Sequence, residues 1–152
     1  MTGRIEIGRS GYRGAKEVKP TQKDCVMVDC RTIVDPNFEK LRRLSIEEVE
    51  RTLRGKHGAA FERLVDRVVR GVLDDNVVHV KCTMGENRSQ SVAWAAYKRL
   101  RSEHPNLRFV GPVCLQPIQS RFPLSSAQLV RRMARPACAS WRLKPIKSAA
   151  DR

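Results

Sequence analysis

The run Val77-Val78-His79-Val80-Lys81, followed directly by Cys82-Thr83-Met84-Gly85-Glu86-Asn87-Arg88-Ser89, constrains the fold of this chain more than any other segment. A β-branched apolar run that ends on a Gly-containing polar octet predicts a buried strand, a tight loop and a helix start. The helix is expected over Ser89 to Glu103. Val92, Ala93, Ala96 and Leu100 share one of its faces, and Pro105 lies just past its end. At such a junction the N–H groups of the loop and of the helix N-terminus converge on one spot, and the helix dipole favours an anion there. Arg88 can add a forked guanidinium contact. Thr83 and Ser89 offer hydroxyls, and Ser89 serves equally well as a helix cap.

The other elements follow the same logic. Arg4-Ile5-Glu6-Ile7 alternates polar and apolar residues as a short strand does, and the turn-rich Ser10-Gly11-Tyr12-Arg13-Gly14 comes after it. Cys25 to Cys30 reads as a buried parallel strand, and Val34-Asp35-Pro36-Asn37 as a turn. Ser45 with Glu48 three residues on forms a capping box that opens a helix. Phe61, Leu64, Val65, Val68 and Val72 define the apolar stripe of a second helix, which stops near Asp74-Asp75-Asn76. Leu107 to Val113 is the last strand, with Gly111-Pro112 marking an edge or an early break. Ser125 to Gln128 starts a short helix carrying Leu129, Val130 and Met133. This alternation predicts an α/β fold: a small open, mostly parallel sheet flanked by helices, with the anion-binding loop at a strand-to-helix junction.

The 152 residues fit one domain, and 41% hydrophobic content excludes a disordered chain. The formal net charge of +14, from 30 Lys+Arg against 16 Asp+Glu, suits a polyanionic partner, with nucleic acid the commonest. A merely solvated cationic surface is the competing explanation. The cations gather in two places: Lys98, Arg99 and Arg101 at the end of the third helix, and Arg131, Arg132, Arg135, Arg142, Lys144 and Lys147 towards the C-terminus. No apolar run marks a secretory signal or a membrane span. Cys25, Cys30, Cys82, Cys114 and Cys138 are odd in number and lack a C-x-x-C pair. Neither a disulfide framework nor a zinc site is expected, and reduced thiols point to the cytoplasm, with an organelle interior as the alternative. His79 reads as a half-buried sheet residue and His57 as a loop residue, neither with a metal partner. Trp94 and Tyr97 read as packing residues, and Cys25 and Cys30 as core thiols. No cofactor is expected, and no Walker-type sequence is present for ATP.

Two chemistries compete for the loop. The spacing Cys-x5-Arg-Ser is the signature of cysteine-dependent phosphatases, with Cys82 as nucleophile and Arg88 as phosphate binder. Those enzymes carry His before the Cys, where this chain has Lys81, and they need a separate general-acid Asp. Asp29, Asp35 and Asp66 lie upstream without a recognisable acid-loop context.

The second reading comes from the order of motifs. It runs from Ser10-Gly11-Tyr12-Arg13-Gly14 through Val28-Asp29-Cys30-Arg31-Thr32-Ile33-Val34-Asp35-Pro36 and Leu41-Arg42-Arg43-Leu44-Ser45 to Lys81-Cys82-Thr83-Met84-Gly85-Glu86-Asn87-Arg88-Ser89. This succession resembles the C-terminal domain of the RNase adapter protein RapZ, over roughly residues 4 to 113. Met84 and Asn87 stand where that family has Gly and His, and Asp35 where it has Asn. The resemblance implies a non-catalytic binding domain that holds a phosphorylated amino sugar, presents basic residues to structured RNA and self-associates. On this basis Asp29, Arg31, Cys82, Thr83, Gly85, Asn87, Arg88 and Ser89 are the expected ligand-binding residues, facing one pocket from two strand ends. The Lys98, Arg99, Arg101, Arg131, Arg132, Arg135, Arg142 and Lys144 set is the expected RNA surface. The partners expected are RNA and a phosphorylated sugar or other small phosphate anion, with no membrane. A RapZ-C-like domain is expected over residues 3–115, and a basic extension, partly helical or disordered, over residues 116–152.

Overall fold

The structure, a computed structural model, describes residues 2–116, 121 and 122. Four strands, β1 (Gly3–Arg9), β2 (Val26–Asp29), β3 (Val77–Cys82) and β4 (Phe109–Cys114), form one sheet in the order β2-β3-β1-β4. Every strand pair is parallel. Among the described residues four helices accompany them: α1 (Phe38–Leu41), α2 (Ile46–His57), α3 (Ala59–Leu73) and α4 (Arg88–Glu103). The expected α/β class with an open parallel sheet is what the chain forms. The short helix expected near Ser125 lies outside the described residues.

Register explains the layering. Ile5 pairs with Val78 and Ile7 with Val80, and Val26 and Val28 pair with those same two β3 residues. Paired residues of parallel strands share a face, so six aliphatic side chains make one apolar surface. α3 packs onto it so closely that a Cβ on Gly71 would lie 2.6 Å from Val78 Cγ2. Phe61, Leu64, Val65, Val68 and Val72 supply the helix side of this core, and Val92, Ala93, Ala96 and Leu100 of α4 extend it. These are the two stripes that the periodicity predicts. Each fully buried aliphatic side chain here contributes about 1.5–3 kcal/mol.

The capping box at the head of α2 forms as expected. Ser45 Oγ accepts from Glu48 N at 3.3 Å, and the Glu48 carboxylate accepts from Ser45 N at 2.9 Å. β1 and β3 run slightly longer than the apolar patterns, β2 is shorter than the expected Cys25 to Cys30, and β4 begins two residues later than expected. α2 ends at His57 rather than leaving it in a loop. His57 Nε2 contacts the Val34 carbonyl at 2.7 Å. Two short elements escaped the sequence reading: α1, capped by Asn37, and a 3-10 turn over Cys30–Thr32 capped by Asp29. Both are too short to show a period. Pro112 is accommodated because β4 is an edge strand. Among the described residues no helix is long and apolar enough to cross a membrane.

The opposite face of the sheet carries Glu6 and His79, paired in register and both fully buried. His79 is thus deeper than the half-buried position expected. His79 Nδ1 lies 3.1 Å from Glu6 Oε1, and a carboxylate can only accept, so Nδ1 carries the proton. Glu6 also accepts from Thr21 N at 2.9 Å, Thr21 Oγ1 at 2.7 Å and Arg4 at 2.8 Å. The connection from β1 to β2 therefore lies over this face, tied down through Thr21. Gly8 makes room for the imidazole, since a Cβ there would lie 2.4 Å from the His79 ring.

Burial by itself would raise the Glu6 pKa, yet the hydrogen bonds from His79, Thr21 and Arg4 outweigh it and hold the group at about 2 against an ordinary 4.5. A depressed carboxyl pKa stabilises the fold above the unfolded value and loses that contribution as pH falls through the folded value. Glu6→Gln is expected to cost about 3 kcal/mol at pH 7. The difference from wild type, full above pH 4.5, should close as pH falls towards 2. Urea denaturation of both proteins at pH 7, 4 and 2.5 checks this.

Candidate functional site

β1 and β3 are adjacent and send their chains to opposite faces of the sheet, β1 into the connection over Glu6 and β3 into α4. A crevice at the carboxyl ends of such strands is where open α/β sheets bind ligands. Here the pairing continues past the strands, with Ser10 N donating to the Cys82 carbonyl and Gly11 N to the Thr83 carbonyl, both at 3.0 Å. A cleft of about 400 Å³ opens at this end, lined by Tyr12, Asp35, Phe38, Glu39, Cys82, Thr83, Met84, Asn87 and Arg88.

The loop keeps its shape through a few specific contacts. Gly85 has φ +71°, and a Cβ there would lie 2.1 Å from Gln116 Nε2 and 2.7 Å from the Gly8 carbonyl. Its own carbonyl accepts from both Gln90 Nε2 at 3.1 Å and Gln116 Nε2 at 2.9 Å. The Cys82 thiol, 2% exposed, sits at the cleft floor and contacts Ser89 Oγ at 3.2 Å. Ser89 itself is fully buried. Asn87 precedes α4 but makes no side-chain cap. Its Nδ2 instead donates to Asp35 Oδ2 at 2.9 Å and to the Phe38 carbonyl at 3.2 Å, which fixes the carboxylate in the cleft wall. Asp35 Oδ1 in turn accepts from Asn37 N at 3.2 Å.

Donors exceed acceptors at the loop. Among the described residues, nothing accepts from the backbone N–H groups of residues 83–90. Arg88 uses two of its five donors, to the Ile33 carbonyl at 2.9 Å and to Thr83 Oγ1 at 3.2 Å. Its Nε is buried with no partner among the described residues. The arrangement suits a small multivalent anion, which accepts from several directions at once. Among the described residues no group of His, Cys, Asp or Glu gathers in a way that could hold a metal ion.

The expected site residues divide. Cys82, Thr83, Asn87 and Arg88 line the cleft, while Gly85 and Ser89 support it from below. Asp29 and Arg31 do not line it. The Asp29 side chain accepts from Arg31 N at 3.0 Å to cap the 3-10 turn and takes the Arg31 guanidinium in a two-pronged pair at 2.6–3.0 Å. That hydrogen bond from Arg31 lowers the Asp29 pKa. The wall expected from these two residues is built by Asp35 and Phe38, a few residues further along the same connection.

Lys98, Arg99 and Arg101, expected on a cationic face, each have a partner within the fold. Lys98 Nζ pairs with Glu50 at 2.6 Å, and Arg99 pairs with Glu62 at 2.6 Å and with Asp66. Arg101 donates to the Leu107 carbonyl at 3.2 Å and lies over the Phe109 ring. Lys98 and Arg99 latch α4 to α2 and α3, whose facing sides carry the carboxylates. Arg131, Arg132, Arg135, Arg142 and Lys144 lie outside the described residues. Trp94 packs as expected, stacked on Tyr97 and Phe122. Cys30 is a core thiol, but Cys25 is only half buried.

Tyr12, Phe38, Gln90, Gln116 and Arg121 were invisible as site residues in the sequence. Gln116 and Arg121 act through contacts 31 to 80 positions away, which no local spacing encodes. No family model matches the chain, and neither curated proteins nor solved structures give a match. Gly85→Ala is expected to cost about 1–3 kcal/mol through the forced φ alone, and more through the contact with the Gly8 carbonyl. Thermal unfolding checks the loss against Gly55→Ala in α2, where a Cβ meets nothing within 4 Å and the change is expected to stabilise slightly.

Proposed function

We propose that this chain is a binding module of the RapZ C-terminal type that takes a small phosphorylated ligand in the cleft beside Cys82-Ser89, without catalysis. The observation that carries this reading is the surplus of donors: the N–H groups of residues 83–90 and the Arg88 Nε lack acceptors among the described residues, next to a cleft of suitable size. A phosphoryl group there would receive backbone N–H donors and the helix dipole together. Tyr12 and Phe38 give the rest of the ligand an aromatic wall, and Asp35 and Glu39 give it acceptors for hydroxyl or amino groups. Contact with RNA rests on the charge of +14 and, with Lys98, Arg99 and Arg101 engaged in the fold, on the cations of the C-terminal part.

The contact of Cys82 Sγ with Ser89 Oγ and the presence of Asp35 in the same cleft favour a second reading, a cysteine-dependent phosphatase. The two readings separate in one assay set. Binding without catalysis predicts that sugar phosphates and nucleotides raise the melting temperature of wild type and of Cys82→Ser, but not of Arg88→Ala. It also predicts no turnover of p-nitrophenyl phosphate. Turnover that disappears in Cys82→Ser would establish the phosphatase instead. RNA affinity in gel shifts should fall about tenfold or more between 50 and 200 mM salt. Replacing Arg131, Arg132 and Arg135 together by Ala should weaken RNA binding while leaving the thermal shift by sugar phosphate intact.

A further inference from the structure

The loop is held from outside by one residue that no motif includes. The Arg121 guanidinium reaches back across the chain and donates to four acceptors. These are the Leu41 carbonyl at 2.9 Å, the Leu44 carbonyl at 3.3 Å, the Glu86 carbonyl, and Asn87 Oδ1 at 3.1 Å. The first two close the end of α1 and the turn that follows it, and the last two belong to the loop. A guanidinium has donors and no acceptor, so it must face the oxygen of the Asn87 amide. The amide nitrogen is then turned the other way, towards Asp35 Oδ2 and the Phe38 carbonyl, as observed. One side chain thus decides the orientation of Asn87, the placement of the Asp35 carboxylate and the path of the loop at Glu86.

We infer that Arg121 is a positioning residue for the anion site, holding residues 86 and 87 and the Asp35 wall in the geometry that forms the cleft. For its effect on affinity the inference rests on the binding reading above, while its effect on the loop stands independently of any ligand. Burial draws the Arg121 pKa below the ordinary guanidinium value, with the Glu86 carboxylate opposing the shift. A cation in such a place is tolerated because it is held by several acceptors. Lys in its place presents a single point charge and cannot span α1 and the loop together. Gln116, 3% exposed, acts beside it, donating to the Gly85 carbonyl from the same part of the chain.

Two readouts on the full chain test this. The first needs no ligand: native-state alkylation of Cys82 by iodoacetamide, read site by site by peptide mass spectrometry, with Cys30 as the internal reference for global opening. Arg121→Ala is expected to speed labelling of Cys82 at least tenfold while the buried Cys30 stays at the wild-type rate. Arg121→Lys should behave like Arg121→Ala, and guanidinium at low millimolar concentration should slow the labelling of Arg121→Ala again. The second is titration with inorganic phosphate followed by ¹H–¹⁵N spectra. Arg121→Ala and Asn87→Ala should each raise the Kd about tenfold, and the double variant should be little worse than either. Unchanged Cys82 labelling in Arg121→Ala overturns the inference, as does labelling of Cys82 and Cys30 that rises in parallel. So does additivity of the two substitutions. If the wild type binds no phosphate or sugar phosphate, the binding reading fails, and the alkylation result alone decides the role of Arg121.

Discussion

The parallel register of β1 with β3 is the constraint from which the rest of the molecule follows. It aligns Ile5 with Val78 and Ile7 with Val80, which creates the surface that α3 covers. The same register aligns Glu6 with His79 on the other face, where a buried charge survives only because four hydrogen bonds reach it. It also brings Gly8 and Arg9 alongside Lys81 and Cys82. The Cys82 loop therefore emerges beside the turn that carries Tyr12. A slip of one residue would reverse all three outcomes at once.

The loop illustrates how a fold supports a site by satisfying some groups and leaving others open. The Gly85 carbonyl has two donors, from Gln90 and Gln116, and the carbonyls of Glu86, Leu41 and Leu44 share the Arg121 guanidinium. Several backbone carbonyls at this end of the sheet are thus occupied, while among the described residues the N–H donors of residues 83–90 have no acceptor. Converging backbone N–H donors favour an anion without a dense cluster of cations, while the Asp35 and Glu39 carboxylates line another part of the same cleft. Several cations elsewhere on the described surface serve the fold. Arg54 joins Glu50 to Glu62, Arg99 joins α4 to α3, and Lys98 joins α4 to α2.

Much of this was legible in the sequence where the signal is local. The capping box at Ser45, the apolar stripe from Phe61 to Val72, and the strand, loop and helix around Cys82 all depend on residues within one or two turns of each other. The placement of Pro112 on an edge strand was legible for the same reason, since a missing N–H is a property of the residue itself. The roles of Lys98 and Arg99 were not, because their partners Glu50, Glu62 and Asp66 lie 33–48 positions earlier in the chain. Asp29 and Arg31 show the converse error. A local cap two residues long satisfied both groups with each other and withdrew them from the cleft.

The sequence by itself determined the α/β class, the core stripes and the strand-to-helix junction at Cys82, because hydrophobic period and capping are short-range physics. Only the tertiary structure decided which carboxylate faces that junction, which cations remain free, and that Arg121 holds the loop. Those outcomes depend on which distant groups arrive within hydrogen-bonding distance, and sheet order and register set that, not the spacing of residues along the chain.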